Sequence, residues 1–580
     1  MKTNIHLHQT HHTLADFEGI FTSLAQLCQA EGLHLFPESF LAGYPLQDLV
    51  IQRSFIEAYN NHLKDIDLWL KNLPALNWRA LCGGLEYELQ DEDLQHVRNV
   101  IYELIPGTGL KKVYTKRLLP NYDTFDEQKY FTRGSDNCFY QFEDKTFGLL
   151  ICEDMWASSF HDVDPCQLMM EEIKEKNIQL DGVINLSASP FDLDKQQKRI
   201  ERAQQLSKLF QAPFIYVNRV GGEDEILFDG SSFIVNNNEV LNLLQTFEAE
   251  SKSIKLPQKL EKYDSHQQQQ SILWESLFAP QLNMEGPLPH IKKWTNEDCK
   301  MVFEALSFGF QEYARKSGFN KFLVALSGGL DSALVLAIIK LALKAGQEVE
   351  AIYMPSIHSS PLSTQLCEEM CQQNGIPLKH LPIKFLHSTV KNTFNQSFKE
   401  SFEGLTDENV QSRLRGLLLY TRSNQTGAMV INTSNKSELA VGYSTQYGDS
   451  VGALSLLGDL YKSEVYWLAN YLNTIHPGII PHEIINRGPS AELRPNQLDQ
   501  DSLPPYERLD AILEGILSYK MSRHQLINKG FEKQEVDRVI RLFTRSEYKR
   551  SQFCPIIKIK AKSFGFGYRV PMSKCSNFYF

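Results

Sequence analysis

Glu38, Lys116 and Cys152 supply a carboxylate, an ammonium and a thiol, a set that can run an amidase. The cation and the base favour thiolate, and a thiolate attacks an amide carbon. Lys116 would stabilise the tetrahedral oxyanion, with backbone N–H groups after Cys152 as the second arm. A different chemistry is written in mid-chain, at Ser327-Gly328-Gly329-Leu330-Asp331-Ser332. Two glycines let the backbone turn and approach a ligand closely, and a following helix aims its free N–H groups at an anion. The hydroxyls of Ser327 and Ser332 add donors, and Asp331 is placed to hold a cation against the same phosphates. This is not the G-x-x-x-x-G-K-[ST] loop, which the chain lacks.

Each set needs strands and helices to place it. The loop follows the apolar run Phe322-Leu323-Val324-Ala325-Leu326 and leads into Ala333-Leu334-Val335-Leu336-Ala337-Ile338-Ile339, so strand, tight turn and helix are expected. In the first half, Leu33-His34-Leu35-Phe36, Phe147-Gly148-Leu149-Leu150-Ile151, Val183-Ile184-Asn185-Leu186 and Phe214-Ile215-Tyr216-Val217 fit strands buried on both faces. Glu38, Cys152 and the hydroxyl-rich Ser187-Ala188-Ser189 lie at the carboxyl ends of such runs, where ligands gather in α/β folds. Lys252 to Gln270 is rich in Lys, Glu, Asp and Gln and reads as a linker or an exposed excursion. A helical pattern from Asn296 to Lys316 feeds the strand at Phe322. The expected division is 1–245, a linker at 246–285, and 286–580.

Bulk properties narrow the class. With 42% hydrophobic and 22% charged residues, the chain reads as an ordinary globular protein too long for one core. A net charge of −11 without a basic block argues against a nucleic-acid surface. Ten cysteines follow no disulfide or zinc pattern, which points to a reducing, cytoplasmic setting. Cys367 and Cys371, one helical turn apart, read as small buried residues. No stretch is apolar enough to span a membrane, and none reads as a signal peptide.

The Ser-Gly-Gly-x-Asp-Ser pattern resembles the pyrophosphate loop of the ATP pyrophosphatases, which cleave ATP between its α and β phosphates. Phe36-Pro37-Glu38, Lys116 to Tyr122, Phe125-Asp126-Glu127 and Ile151 to Trp156 resemble, in that order, the nitrilase superfamily. That likeness implies Glu38 as general base, Lys116 as transition-state cation and Cys152 as nucleophile, with Glu127 helping to fix Lys116. The two halves together resemble the family of glutamine-dependent NAD synthetases. Further strings that carry this are Gly43-Tyr44-Pro45, Asn435 to Tyr443, Tyr447-Gly448-Asp449 and Pro489 to Arg494.

The resemblance implies an α/β chain: a nitrilase-like α-β-β-α layered domain, then a Rossmann-like parallel-sheet domain. It implies amidation of deamido-NAD by ammonia from glutamine, through an adenylate, with Mg²⁺ alongside ATP. Tyr122, Ser189 and Lys195 become glutamine contacts. ATP is assigned to Ala325, Leu326, Ser327, Gly328, Gly329, Leu330, Asp331 and Ser332, with Thr433 and Lys462. Asp331 and Glu438 become Mg²⁺ ligands. Asn409, Arg413, Glu438, Asp449 and Lys549 are placed around deamido-NAD, and a homo-oligomer through the synthetase domain is implied. The loop alone leaves another carboxylate open as acceptor, because related synthetases share it. The family pattern is departed from at Ser450-Val451-Gly452-Ala453 and in the tail from Phe564 to Arg569. His6, His8, His11 and His12 lack carboxylate or cysteine partners at ligand spacing, and they read as exposed polar residues of a terminus.

Overall fold

The computed structural model describes residues 3–257 and 291–574, except 92, 158–160 and 496. The chain divides into two compact units, the first formed mainly by residues up to 278 and the second mainly by those after it.

In the first unit the four apolar runs are strands Gly32–Leu35, Lys145–Ile151, Gly182–Ser187 and Phe214–Asn218. They belong to two six-stranded sheets. Ile5, Leu7, Leu33 and Leu35 of one sheet share a buried core with Phe147, Leu149, Ile184 and Ile215 of the other. Helices Phe17–Leu27 and Arg53–Asn72 cover the outer face of the first sheet through Ile20, Leu24, Tyr59 and Ile66. Helices Pro165–Lys176 and Lys195–Phe210 cover the second through Met169, Ala203 and Leu206. The order is therefore helix, sheet, sheet, helix. Strands covered on both faces must be apolar on both, which is why they read as continuous runs.

Two expectations about this unit change. The segment expected to be linker opens with a strand, Glu250–Lys255, paired antiparallel with Asn4–Gln9. The first unit thus runs past 245; residues 258–285 lie outside the described residues. That added strand also removes the edge from Asn4–Gln9, so His6 and His8 are buried, not exposed. Their rings stack with that of His34. His8 Nε2 pairs with His34 Nδ1 at 2.8 Å, and the two serines of the late strand, Ser253 and Ser251, bond His6 and His8.

The second unit carries a five-stranded sheet, every pair parallel, in the order 378–380, 348–353, 321–326, 429–432, 454–455. Chain order reverses on either side of the central strand Lys321–Leu326, so its carboxyl end is the topological switch point. The helix that follows, Leu330–Ala342, is apolar nearly all round because it is buried nearly all round. Helix Asn296–Lys316 starts at a capping box between Thr295 and Asp298. Beyond residue 435 a helical cluster packs around Leu509, Ile512, Val536 and Ile540. Cys367 and Cys371 are buried in helix Pro361–Asn374, and the cysteines among the described residues are free. No described helix is long and apolar enough to cross a membrane.

Candidate active sites

The first site forms where the strands of the two sheets end. Strand Lys145–Ile151 stops at Cys152, whose φ of 42° bends the chain into the short turn Cys152–Trp156. A residue with a Cβ in that region carries strain of about 1 kcal/mol or more, so the surroundings must hold it there. They do. Asn185, on the neighbouring strand, accepts from the Cys152 N–H at 2.7 Å and donates to the Cys152 carbonyl at 3.3 Å. Asp154 accepts from the Ile151 N–H and Tyr114 Oη through one oxygen, and from the Arg117 and Leu118 N–H groups through the other. One buried carboxylate thereby fixes both the Cys152 turn and the backbone that carries Lys116.

Lys116 Nζ donates to Glu38 Oε1 at 2.7 Å and to Glu127 Oε1 at 2.8 Å. Asn99 Nδ2 also donates to Glu38 Oε1, the Ala188 N–H donates to Glu38 Oε2, and Tyr44 Oη donates to Glu127. Burial opposes the charge on Lys116, but the Glu127 and Glu38 carboxylates outweigh it and hold its pKa well above the ordinary value. Burial pushes Glu127 up to about 7 against the pull of Lys116. The Cys152 thiol is also raised well above its usual value, by burial first and then by Glu38, with Lys116 opposing. Lys116 favours the thiolate, as expected of the cation, while burial and the Glu38 carboxylate oppose it.

Tyr122 and Lys195 reach the Cys152–Trp156 turn, whereas Ser189 is bonded to Asn218 and Arg199. Tyr122 Oη bonds Glu153 at 3.0 Å, and burial raises Glu153 to about 7. Lys195 Nζ stands 5.2 Å from the centroid of the Trp156 ring, with its pKa lowered by desolvation. It opens helix Lys195–Phe210, where a cation opposes the helix dipole. Ser189 is held from both sides, its N–H donating to Asn218 and its hydroxyl accepting from Arg199.

The second site is a cleft at the carboxyl end of the central strand. Ala325, Leu326, Ser327, Gly329, Leu330, Asp331, Ser332, Thr433, Glu438, Asp449 and Lys462 line it. Gly328, at φ 81°, instead faces helix Pro361–Asn374, and a Cβ there would come within 3.0 Å of the Ser363 backbone. The two loop hydroxyls are tied to each other, Ser327 Oγ to Ser332 Oγ at 3.1 Å. Lys462 Nζ donates to Asp331 Oδ2, and Asn435 Nδ2 donates to Asp331 Oδ1 at 3.0 Å. Asn435 Oδ1 accepts from the Glu438 N–H, capping helix Lys436–Val441. Burial, and then Asp331, drive Glu438 well above the carboxylate range. Lys462 is raised too, since Asp331 and Glu438 outweigh its desolvation.

Asn409, Arg413 and Lys549 do not line this cleft. They gather instead on the segment from Gly442 to Asp449. Asn409 accepts from Thr445 Oγ1, and Arg413 donates to the Gln446 carbonyl. Lys549 Nζ donates to the carbonyls of Gly442 and Ser444 at 2.7 and 2.6 Å. Asp449, raised by burial, accepts from the Thr445 N–H and the Ser412 hydroxyl.

Sequence reasoning missed Asn99 and Asn185, single polar residues whose partners lie far away in the chain. Tyr44, Asp154 and Asn435 were within reach, since all three sit inside strings that carry the family resemblance.

Comparison with known proteins matches residues 7–242 to the carbon-nitrogen hydrolase family and residues 302–553 to the NAD synthase family. A glutamine-dependent NAD(+) synthetase of Synechocystis sp. is 34% identical over 96% of this chain and 95% of its own length. The one from Thermotoga maritima is 33% identical over 99% and 98%. A solved glutamine-dependent NAD+ synthetase from Acinetobacter baumannii, in complex with ADP, aligns over 99% of this chain and 98% of its own. Its TM-score is 0.69 and its identity 29%.

Proposed function

The chain belongs to the glutamine-dependent NAD(+) synthetases, and on that premise we propose how its residues divide the reaction. The enzyme amidates deamido-NAD to NAD with ATP and with ammonia from glutamine, the last step of NAD biosynthesis. AMP, pyrophosphate and glutamate are the other products.

In the amidase half, glutamine binds over the Cys152–Trp156 turn, with Tyr122, Ser189 and Lys195 as its polar contacts. Glu38 takes the thiol proton as Cys152 attacks the side-chain amide carbon. Lys116 faces the developing oxyanion, and Glu38 returns a proton to the departing ammonia. Water, deprotonated by Glu38, then cleaves the γ-glutamyl thioester. The observation that carries this half is the Lys116 ammonium bonded to both Glu38 and Glu127 beside Cys152.

In the synthetase half, the nicotinate carboxylate of deamido-NAD attacks the α-phosphorus of ATP and pyrophosphate leaves. A carboxylate's own leaving group is oxide, so adenylation is what makes amide formation possible. Ammonia then attacks the adenylate carbon and AMP leaves. The loop from Ser327 to Ser332 cradles phosphate, with Ala325, Leu326 and Thr433 beside it. Lys462 offsets negative charge. Asn409, Arg413, Glu438, Asp449 and Lys549 serve deamido-NAD, those around Gly442 to Asp449 by shaping that segment.

The donor set suits Mg²⁺. Asp331 and Glu438 offer hard oxygens, and no cluster of three or more ligating side chains occurs among the described residues. An ion held there would draw its remaining oxygens from phosphate and water. It would neutralise charge on the ATP phosphates. Self-association is supported by exposed apolar residues on two successive helices, Phe385 and Phe398 on one and Leu405 and Leu417 on the other. Free cysteines among the described residues support a reducing, cytoplasmic setting.

The test is to supply purified chain with Mg²⁺, ATP and deamido-NAD and to follow NAD and AMP. Equimolar NAD and AMP are expected with glutamine. A chain that ignores deamido-NAD but turns over another carboxylate would replace this acceptor assignment.

A further inference from the structure

Two cleft side chains, Glu438 and Lys462, are set by the first turns of two different helices, Lys436–Val441 and Lys462–Ile475. A third helix, Tyr506–Leu517, supplies a carboxylate that meets both. Asp510, with no exposed surface, does not line the cleft. Its Oδ1 accepts from the hydroxyl of Ser437, the residue before Glu438, at 2.5 Å. Its Oδ2 accepts from the backbone N–H of Ser463, the residue after Lys462, at 3.0 Å and from the Ser463 hydroxyl at 2.7 Å. Ser437 Oγ accepts in turn from the Lys462 N–H at 3.0 Å.

The first N–H groups of a helix have no partner within it. Here the N–H groups of Lys462 and Ser463 are satisfied from outside, by Ser437 and Asp510. The start of the Lys462 helix is therefore bonded to the start of the Glu438 helix, directly and through one carboxylate. A carboxylate near a helix N-terminus is also favoured by the dipole. We propose that Asp510 is a positioning residue for the synthetase reaction, fixing the register of Glu438 against Lys462 across the nucleotide cleft. The inference rests on the reading of that cleft given above.

The same helix adds a second restraint. Tyr506, one turn earlier, donates from Oη to Asp499, which lines the cleft, and its ring lies 5.6 Å from Lys462 Nζ. Asp510 thus acts at the backbone of the two helices while Tyr506 acts beside the ammonium.

Asp510→Asn tests this in the full chain with ammonium as nitrogen source. Three donors converge on two carboxylate oxygens, and asparagine presents one oxygen and an amide N–H₂ in their place. One of the two helix starts is released. Misplacement of catalytic groups acts on turnover, so kcat is expected to fall roughly 10- to 100-fold, with the KM for deamido-NAD within about threefold. A merely structural carboxylate would lower the melting temperature and leave kcat of the folded variant intact. Folded Asp510→Asn with kcat within about twofold of the parent overturns the inference. Lys462→Met, measured alongside, separates the two levels. If it too is fully active, the reading of the cleft fails; if it alone is impaired, only the role of Asp510 fails. Should Asp510→Asn not fold, Ser463→Ala removes a single bond at a half-buried position. It is expected to lower kcat about threefold with the KM little changed, and an unaltered kcat overturns the inference.

Discussion

The ammonium of Lys116 donates to Glu38 Oε1 at 2.7 Å, and each side chain is 1% exposed. Breaking a buried pair by removing one partner is costly, because the other charge is left uncompensated. Here Lys116 keeps Glu127 as a second partner, so the Glu38 charge can be removed without stranding the ammonium. The pair is therefore open to direct test from the carboxylate side.

Glu38→Gln keeps an oxygen for Lys116 and Asn99 but cannot accept the Cys152 proton. Glutamine-supported NAD formation should fall by roughly 10²- to 10⁴-fold. Ammonium-supported synthesis should persist near the parent rate, with a melting temperature lowered by the Ala188 N–H that loses its acceptor. Steady-state rates with the two nitrogen sources decide it; undiminished use of glutamine contradicts the assignment of the base.

Asp331 accepts from both Lys462 and Asn435 and lines the second cleft. Asp331→Ala strips a carboxylate from the place where phosphate charge develops. NAD formation should drop by about 10²-fold or more whether glutamine or ammonium is supplied. Persistence of ammonium-supported activity would show that the loop is not where ATP reacts.

His8 and His34 are held neutral by burial, with pKa values lowered from 6.5 to about 2 and about 4. The unfolded chain binds their protons more readily. Their contribution to stability is complete above about pH 6.5 and is lost as pH falls toward the folded values. For His34 alone the loss is roughly 2 kcal/mol at pH 5. Glu127 and Glu153, pushed up to about 7 by burial, act in the opposite sense. The effect is thus best read as a difference: the stability gap between parent and His34→Gln in denaturant melts should narrow from pH 7 to pH 5. A gap independent of pH would mean that the histidine stack is not neutral when folded.

Contiguous features were legible from the amino-acid order alone. The strand, loop and helix around Asp331 occupy one stretch, and residues such as Cys152 sit directly after apolar runs. What escaped reading depends on distant chain. Nothing local marks Asn185 as the clamp on Cys152, or Asp510 as the tie between Ser437 and Ser463. His6 and His8 read as exposed because their cover, Glu250–Lys255, arrives far later in a segment with linker-like composition. Its polar residues suit an edge strand, so composition and position pointed away from its role. The thiol is a different case. Its residue type and place were readable, but the burial that opposes its ionisation is not revealed by sequence spacing.

Cys152→Ala, assayed with each nitrogen source in turn, separates the two chemistries joined in this chain. No NAD should form from glutamine, while NAD and AMP from ammonium should be undiminished. NAD still formed from glutamine by that variant would contradict the assignment of Cys152.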